Sequence, residues 1–334
     1  MNATIKLEKN HFPVMLNELI DIISPLYGGT FIDCTLGQGG YTSRILNQKN
    51  NEVIALDRDK AAIKIANKLK LKFGNRFKFK NFKFSDIDQI SIKQNKIKGI
   101  IYDLGFSLNQ INDQEKKISF NSKGSLDMRL GINDFSANEV IHQLSEKELS
   151  LIFKVLGEEN MHKIIAKKIV KEREKKALHT EDLVKIIDAV KSKKKQKIHN
   201  STKVFQSLRM FVNNEISELI NGLINGFKIL PIGGVMVVVT FHSLEDKITK
   251  YFFKNYSEEK NLSRYLPESL VEQKIFKLIE KKPILPSKHE ISINPPSRSA
   301  KLRYAFKIKN NLDFEKFKNK FKYLLDIENI SRVL

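Results

Sequence analysis

The chain alternates short apolar segments with segments of helical periodicity, and the first apolar segment runs into a glycine-rich loop. Residues 30–32 are followed by the sequence DCTLGQGG, which begins at Asp33. Glycines let the backbone approach a ligand closely at the turn between a strand and a helix. Strands that alternate with helices are typical of an α/β domain around a mainly parallel sheet. The pattern therefore predicts a sheet with a ligand-binding loop after its first strand.

Other segments extend this α/β pattern on both sides of a helical stretch. Apolar repeats predict helices over residues 16–23, 41–46 and 61–73. Short apolar runs predict further strands over residues 52–56, 98–104, 234–241 and 301–308. The last of these alternates apolar and polar residues, as a half-buried antiparallel strand does.

Residues 112–202 contain only helical patterns. Helices are predicted over residues 136–144, 146–156, 160–174 and 180–190. Thr180, with Glu181 and Asp182 after it, is the predicted N-cap of the last one. We therefore predict an α/β domain of residues 1–111 and 203–310, interrupted by a helical substrate-recognition domain of residues 112–202. Residues 311–334 would form a C-terminal tail.

The charge of the chain indicates an acidic partner. Lys and Arg number 59 against 38 Asp and Glu, a net charge of +21, which favours a nucleic acid as partner. Residues 60–98 hold 12 basic and 2 acidic residues, and residues 281–334 hold 13 and 5. Residues 111–200 hold 19 and 14, a smaller excess per residue. The α/β domain should therefore contact much of the backbone of a nucleic acid, while the helical insertion supplies shape and closure.

Composition also excludes several classes of protein. An apolar fraction of 41% is enough for a sizeable core and rules out wholesale disorder. One cysteine, Cys34, excludes an intramolecular disulfide and a multi-cysteine zinc site. The longest strongly apolar run, residues 234–241, is far shorter than the ~20 residues that span a bilayer. With no signal-peptide pattern at the N-terminus, the expected location is the cytoplasm.

The glycine loop admits two kinds of cofactor. Asp33, Thr35, Gly37 and Gly39 fit the pattern acid-x-small-x-Gly-x-Gly of S-adenosylmethionine enzymes. A nicotinamide-dependent oxidoreductase would carry a third glycine where Thr42 stands. The charge alone would also suit an RNA-binding or assembly factor without catalytic activity.

Two further aspartates follow predicted strands. Asp57 lies 20 residues after Gly37, a spacing at which an acid can accept both ribose hydroxyl groups of an adenosine; a solvated strand-end aspartate is the alternative. Asp103 ends the strand segment KGIIYDLG, where ligands of open α/β sheets bind. It could equally begin a turn before Gly105.

The chain closely resembles the bacterial 16S ribosomal RNA cytosine-N4 methyltransferases, which use S-adenosylmethionine. The resemblance runs from His11 to about Phe306. The blocks that carry it are HFPVMLNELI, DCTLGQGG, IALDRD, RFKFKNF, GIIYDLGFS, FNSKGSLDMRL, HNSTKVFQSLRMFVNNE, TFHSLEDK and NPPSRSAKLR. It implies a Rossmann-like class I methyltransferase fold with an antiparallel C-terminal strand and an inserted all-helical domain. A DNA or protein methyltransferase is a closer alternative that the cofactor loop alone would permit.

The resemblance also implies the cofactor-binding residues. They are Gly39, Gly40, Tyr41, Asp57, Phe84, Asp103 and Gln110. Many members of the family have histidine at the position of Tyr41. Leu108 and Asn109 depart from the common serine and proline, Lys203 from arginine, and Pro296-Ser297 from a more basic pair. Phe84 could pack on adenine, or it could be a core residue, because Phe77, Phe79, Phe82 and Phe84 alternate as in a strand.

The partner that the resemblance implies is 16S rRNA, within the small ribosomal subunit. Candidate RNA contacts are Arg129, Arg209, His242, Arg298, Lys301 and Arg303; for each, a structural salt bridge or a helix cap is the alternative. Ser243 would be the N-cap of the helix after strand 234–241. Phe106 or Phe241 could stack on an unstacked base.

Asp103 is the candidate catalytic residue. The N4 amine of cytosine is a poor nucleophile, because its lone pair is delocalised into the ring. A carboxylate or carbonyl that accepts a hydrogen bond from N4 would favour attack and later take the proton. We expect Asp103 to do this together with the backbone of residues 104–107, without a metal ion or a covalent nucleophile.

Overall fold

The computed structural model describes residues 13–92, 96–106, 118–131, 133–191, 199–257, 274–311 and 313–333. The chain divides into two compact units. The α/β unit comprises residues 1–105 and 218–319, and the helical unit comprises residues 106–217 and 320–334. The helical unit separates the two parts of the α/β unit. Its first segment, residues 106–217, is longer than the predicted insertion of residues 112–202.

The α/β unit is built on a seven-stranded sheet. The strands are β1 (Gly29–Asp33), β2 (Asn51–Leu56), β3 (Phe77–Lys80), β4 (Ile97–Asp103), β5 (Val235–Thr240), β6 (Phe276–Lys277) and β7 (Lys301–Lys307). Their order across the sheet is β3-β2-β1-β4-β5-β7-β6. Strands β1 to β5 run parallel, and β7 is antiparallel to both β5 and β6. The predicted mainly parallel sheet with an antiparallel C-terminal strand is confirmed.

The helices follow the predicted segments closely. They are α1 (Leu16–Ile23), α2 (Gly40–Leu46), α3 (Ala62–Phe73), α4 (Ala137–Gln143), α5 (Glu146–Val155), α6 (His162–Arg173), α7 (Thr180–Val190), α8 (Thr202–Val212), α9 (Glu215–Ile229), α10 (Ser243–Asn255), α11 (Lys288–Ile293), α12 (Glu315–Lys320) and α13 (Lys322–Glu328). None of the helices in the described ranges combines the length and the apolar character needed to cross a membrane.

The centre of the sheet is its most buried part. All six residues of β5 are buried, which explains its uninterrupted apolar sequence, because a parallel strand covered on both faces has no polar face. From β1 the chain adds β2 and β3 on one side and then returns to add β4 on the other side of β1. The switch in direction therefore falls between β1 and β4, where a crevice opens at the carboxyl ends of the strands.

Serine side chains cap the first two helices of the helical unit. Ser136 and Glu139 form a capping box at the start of α4, and Ser145 and Glu148 form one at the start of α5. The predicted cap of α7 is wrong by one residue. His179 is the N-cap, and its N–H donates to Oδ2 of Asp182 at 3.1 Å.

The residue predicted to cap α7 has a different partner. The hydroxyl of Thr180 donates to the carbonyl oxygen of Gly124 at 3.0 Å. The Thr180 side chain is therefore buried against the loop before α4 rather than against its own helix.

The predicted tail, residues 311–334, is divided between the units: residues 311–319 belong to the α/β unit and residues 320–334 to the helical unit. Phe321, Leu324 and Ile327 are buried there. Glu328 is buried as well, and its two carboxylate oxygens accept from the N–H groups of Ile216 at 2.8 Å and Ser217 at 2.9 Å. These N–H groups lie in the first turn of α9 and have no acceptor within the helix. A side chain from the far end of the chain thus caps this helix.

Candidate active site

Three aspartates stand at the carboxyl ends of neighbouring parallel strands. Asp33 ends β1, Asp57 follows β2 and Asp103 ends β4. Because these strands are parallel, the three residues meet at one edge of the sheet, where the order of the strands switches direction. The structure therefore brings together the carboxylates that the sequence singles out.

Asp57 fastens the glycine loop to the end of β2. Its Oδ2 accepts from the N–H of Gly37 at 2.9 Å, and its Oδ1 accepts from the N–H of Asp59 at 2.8 Å. Burial raises the pKa of the Asp57 carboxyl to about 6, against the lowering effect of these two N–H groups. A carboxylate has about four acceptor positions. The two N–H groups occupy two of them, and because Asp57 is also buried, it is not the solvated strand-end residue of the alternative interpretation.

The glycines of the loop are required by neighbouring side chains of the same chain. Gly37 and Gly39 have φ angles of 49° and 74°, which favour glycine. A Cβ at Gly39 would lie 2.7 Å from Cδ1 of Leu69, and one at Gly40 would overlap the ring of Pro13. Close packing by Leu69 and Pro13 therefore accounts for Gly39 and Gly40 independently of any ligand.

Asp33 holds the start of α2. Its Oδ2 accepts from the hydroxyl of Thr42 at 2.7 Å, and its Oδ1 accepts from the N–H of Thr35 at 3.3 Å. Burial raises the pKa of the Asp33 carboxyl, although these hydrogen bonds lower it. Thr42 stands where a dinucleotide-binding loop would have its third glycine. In this chain the hydroxyl of Thr42 instead connects α2 to the end of β1 through its hydrogen bond to Asp33.

Asp103 has a buried carboxylate oxygen without a partner. Its N–H donates to Oγ1 of Thr35 at 2.9 Å, but Oδ1 has no hydrogen-bond partner among the described residues. Burial, followed by repulsion from Asp33, raises the pKa of the Asp103 carboxyl to about 7, while hydrogen bonds from Gly105 and Tyr41 lower it. A buried acceptor without a donor is costly, so this oxygen is available to a donor of the substrate.

Tyr41 fixes the segment before α1. Its hydroxyl donates to the carbonyl oxygen of Val14 at 2.5 Å, and burial raises the pKa of the phenol well above its ordinary value. Met15, the next residue, donates its N–H to Oε1 of Glu290 at 2.7 Å. Residues 13–15 therefore lie against the glycine loop and are held there from two sides.

Phe84 lies outside β3, so the strand-like alternation that extends to it is wrong beyond Lys80. Its ring meets the ring of Tyr102 edge to face, with centroids 5.5 Å apart. The backbone of Gly222 in α9 lies against the same ring. Phe84 is half-buried, so it is neither a full core residue nor an exposed one.

Glu218 connects Phe84 to the end of β2, a role that sequence reasoning missed. Its Oε1 accepts from the N–H of Phe84 at 3.3 Å, and its Oε2 pairs with the guanidinium of Arg58. Arg58 and Glu218 are both buried. A buried pair is strongly destabilised when one partner is removed. No local signal reveals this pair, since 160 residues separate its members.

Most of the predicted RNA contacts already have protein partners. Arg129 makes two hydrogen bonds to Asp127, at 2.8 and 2.9 Å, on the surface of the helical unit. Arg209 makes two to Glu215, at 2.9 and 3.0 Å. The guanidinium carbon of Arg209 also lies 4.0 Å from the centroid of the Phe106 ring. These pairs fix both guanidinium groups in the helical unit.

The remaining basic candidates lie in the α/β unit. Lys301 and Arg303 both pair with Asp246, at 2.8 and 2.7 Å. These hydrogen bonds lower the pKa of the Asp246 carboxyl despite its burial, which acts in the opposite direction. Arg298 is exposed in a short 3₁₀ helix, Pro295–Ser299.

His242, not Ser243, is the N-cap of α10. Its Nδ1 accepts from the N–H of Glu245 at 3.4 Å, and Glu245 Oε2 accepts from the N–H of His242 at 3.2 Å. Phe241, a predicted stacking residue, packs its ring against the backbone of Gly105. Gln110, together with residues 107–109, lies outside the described residues.

The strand order, the glycine loop after β1 and the carboxylates at the strand ends define a Rossmann-like methyltransferase, whose methyl donor is S-adenosylmethionine. The residues of the site fit S-adenosylmethionine. Asp57 has acceptor positions that its two N–H partners do not use, and the buried Oδ1 of Asp103 has no hydrogen-bond partner among the described residues. The sequence profile of the MraW methylase family matches residues 8–308. The chain belongs to this family.

The relatives of the chain carry a consistent name. A Rickettsia africae (strain ESF-5) protein called ribosomal RNA small subunit methyltransferase H is 40% identical over 303 residues, which are 89% of this chain and 98% of that protein. A protein of the same name from Bartonella tribocorum is 41% identical over 297 residues, 88% of this chain and 89% of that one. A solved structure of a putative rRNA methylase from Clostridium thermocellum covers 90% of this chain and 99% of its own, at 12% identity and a TM-score of 0.41.

Proposed function

We propose that this methylase transfers a methyl group from S-adenosylmethionine to the exocyclic N4 of a decoding-centre cytidine in the 16S rRNA of the small ribosomal subunit. The observation that carries the proposal is the buried Oδ1 of Asp103 at the end of β4, which has no hydrogen-bond partner within the described part of the chain. The relatives, which are named as methyltransferases of small-subunit ribosomal RNA, support the choice of substrate.

The cofactor site would comprise Gly39, Gly40, Tyr41, Asp57, Phe84, Asp103 and Gln110. When bound, S-adenosylmethionine supplies an electrophilic methyl group on a sulfonium. Asp57 would accept the hydroxyl groups of the ribose through the acceptor positions that Gly37 and Asp59 leave open. Phe84 would offer the face of its ring to the adenine. The polypeptide thus holds the donor rigidly, which is the first requirement of an in-line displacement.

Asp103 would act on the acceptor. Its Oδ1 would accept a hydrogen bond from N4, which localises the lone pair of the nitrogen. It would take the N4 proton as the bond from nitrogen to the methyl carbon forms and the bond from that carbon to the donor sulfur breaks, with S-adenosylhomocysteine as the leaving group. A pKa of about 7 for this carboxyl suits a proton acceptor near neutral pH. No metal ion takes part in this mechanism.

The RNA would be held by basic side chains of both units. Arg129, Arg209, His242, Arg298, Lys301 and Arg303 are the proposed contacts. Five of them have acidic partners in the structure, so a phosphate would compete with a carboxylate at these positions. The helical unit would recognise the shape of the substrate. A ribosomal substrate also places the enzyme in the cytoplasm.

The test is mass spectrometry of nucleosides from 16S rRNA of cells with and without the gene. N4-methylcytidine should be lost in the deletion strain and restored by the wild-type chain, but not by the Asp103→Asn variant. An unchanged N4-methylcytidine signal in the deletion strain would refute the proposed substrate.

The purified Asp103→Asn variant separates binding from chemistry. Titration calorimetry should show that it still binds S-adenosylmethionine, because Asp57 and the glycine loop are intact. If the variant binds S-adenosylmethionine normally and methylates RNA at the wild-type rate, the catalytic role of Asp103 is wrong.

A further inference from the structure

A cavity in the α/β unit is lined by none of the three aspartates of the candidate active site. Its volume is about 330 Å³, and α10, the segment after β6 and strand β7 surround it. Four basic residues line it: Lys250, Lys254, Lys281 and Arg303. The acidic lining residue among those described is Glu280. The cavity is therefore a concave site with a net positive charge.

The basic side chains of the cavity comprise exposed lysines and one arginine that is held by an ion pair. Lys250 and Lys254 are one helical turn apart on α10, so they lie on the same face of the helix. Lys250 and Lys281 are exposed, whereas Arg303 is 10% exposed at its side chain and held by Asp246 at 2.7 Å. Arg303 is thus a fixed cation in the wall, and the cavity is also lined by three lysines. This arrangement suits a phosphate group, which can accept from several donors at once.

The rest of the lining is apolar and aromatic. Phe253 and Leu278 form part of the wall, together with the half-buried ring of Tyr304. Proteins that bind single-stranded RNA combine a basic groove for the backbone with aromatic rings on which bases stack. The cavity offers both within one site, which a peptide or a small anion would not need.

The strand register relates the cavity to the aspartate site. Arg303 pairs with Val238 in β5, and Val238 pairs with Tyr102 in β4. Tyr102 immediately precedes Asp103. Because neighbouring strands are about 4.8 Å apart, the backbone of Arg303 is about 10 Å from that of Tyr102. A nucleotide bound in the cavity would therefore be close, along the same RNA strand, to the cytidine bound at Asp103.

We propose that this cavity binds a nucleotide of the RNA strand that flanks the methylated cytidine. Lys250, Lys254 and Lys281 contact its phosphate beside Arg303, and Tyr304 contacts the face of its base. The proposal rests on the proposed function, since it takes the substrate to be RNA.

The first test is RNA binding by a Lys250→Ala/Lys281→Ala double variant. With a fluorescently labelled single-stranded RNA, the affinity should fall about tenfold at physiological salt if two phosphate contacts are lost. The slope of log K against log salt should become shallower by no more than about 0.7, because the lysines contact one phosphate. The matched control, Lys163→Ala/Lys167→Ala on α6, removes two exposed lysines elsewhere and should lose less than about twofold.

A Tyr304→Leu variant separates stacking from charge. It should lose about tenfold in affinity with no change in the salt slope, because a ring carries no counterion effect. Wild-type affinity in the double lysine variant, or an equal loss in the control pair, would overturn the proposal in favour of diffuse electrostatic attraction.

Methylation assays distinguish the failure of this proposal from failure of the proposed function. With small ribosomal subunits from the deletion strain, the double lysine variant should show a raised KM for subunits and an unchanged kcat. If the wild-type chain methylates these subunits and the variant has the same KM, the cavity is not part of the RNA site. If the wild-type chain does not methylate them, the proposed function fails. The RNA-binding titration then still shows whether the cavity binds RNA.

Discussion

At the scale of single residues, the aspartate site combines structural support with an incomplete set of hydrogen bonds. Asp33 and Asp57 accept from neighbours in the glycine loop, whereas Asp103 retains a buried oxygen without a partner among the described residues. Such a group costs stability, and functional sites are where that cost is commonly retained. The cost at Asp103 can be measured.

The Asp103→Asn variant should be more stable than the wild type at pH 8. The Asp103 carboxyl has a pKa of about 7 in the folded protein against an ordinary 3.8, so the folded state favours its protonated form. The contribution of the Asp103 carboxyl to the free energy of unfolding is therefore most favourable below about pH 4, and it is lost as the pH rises through about 7. Asparagine cannot ionise, so the gain in the free energy of unfolding should be largest at pH 8 and should shrink towards pH 4, as urea titrations can show.

Asp246→Asn is the control of opposite sign. Lys301 and Arg303 lower the pKa of the Asp246 carboxyl, so the folded state favours its ionised form. Loss of that charge should destabilise the protein at pH 8, with a smaller effect at pH 3. If both variants shift the free energy of unfolding in the same direction at pH 8, the argument from burial at Asp103 does not hold.

At the scale of the secondary-structure elements, the sequence predicted the sheet and helices well. Periodicity located α1 and β2 to within a residue, because both are regular segments with clear apolar patterns. Cap positions were less predictable. Side chains of several types can accept a hydrogen bond from the N–H groups in the first turn of a helix. Whether His179 or Thr180, and His242 or Ser243, is the cap depends on where the backbone leaves the helical conformation.

Long-range contacts were beyond prediction from the sequence. The Arg58–Glu218 pair and the hydrogen bond from the Tyr102 hydroxyl to the carbonyl oxygen of Gly222 join β2 and β4 to α9. Neither has a sequence signal, since each depends on how α9 packs on the sheet. The glycines of α9 give the clearest measure of that packing.

The Gly222→Ala variant should be destabilised despite the higher helix propensity of alanine. Propensity alone would stabilise α9 by about 1 kcal/mol. The new Cβ would lie 2.5 Å from Cδ2 of Phe84, so the ring must move. Overpacking of this kind costs about 1–3 kcal/mol, and displacement of Phe84 should also raise the KM for S-adenosylmethionine.

Asn221→Ala provides the matched control on the same helix. Asn221 is exposed, so its replacement should leave the KM for S-adenosylmethionine unchanged and should not lower the free energy of unfolding. A Gly222→Ala variant as stable as the control, with an unchanged KM, would show that Phe84 is not constrained by α9.

At the scale of the whole molecule, two separate parts of the sequence form each unit. The insertion was predictable, because its helical periodicity contrasts with the strands on either side. The return of residues 320–334 to the helical unit was not predictable. These residues are rich in apolar side chains, but side chains such as Phe321 and Leu324, which are buried, do not reveal from the sequence which unit they join.

A chain that ends at residue 319 should retain the α/β unit and lose stability in the helical unit. The deletion removes the buried side chains of α13 and the cap that Glu328 gives to α9. The cap alone is worth about 1–2 kcal/mol. Hydrogen exchange should therefore show faster exchange in α5 and at the start of α9, with β1 and β4 unaffected.

The Glu328→Ala variant isolates the cap from the deletion, with Glu315→Ala as its control. Glu315 is 68% exposed at its side chain and pairs with Lys318, so its loss should change stability by less than about 0.5 kcal/mol. Equal protection from exchange in the truncated and full-length chains would mean that residues 320–334 do not support the helical unit.

The division of each unit between distant parts of the chain also sets an order of events during synthesis. Strand β4 cannot gain its neighbour β5 until the ribosome has added more than a hundred further residues, since Gly99 pairs with Val235. The helical unit, though most of it is made earlier, has to wait longer still for Glu328 to reach the first turn of α9. Contacts this far apart in sequence form slowly. A nascent chain therefore carries an open edge on β4 until residues 235–240 are made, and an uncapped α9 from residue 229 until residue 328 is made.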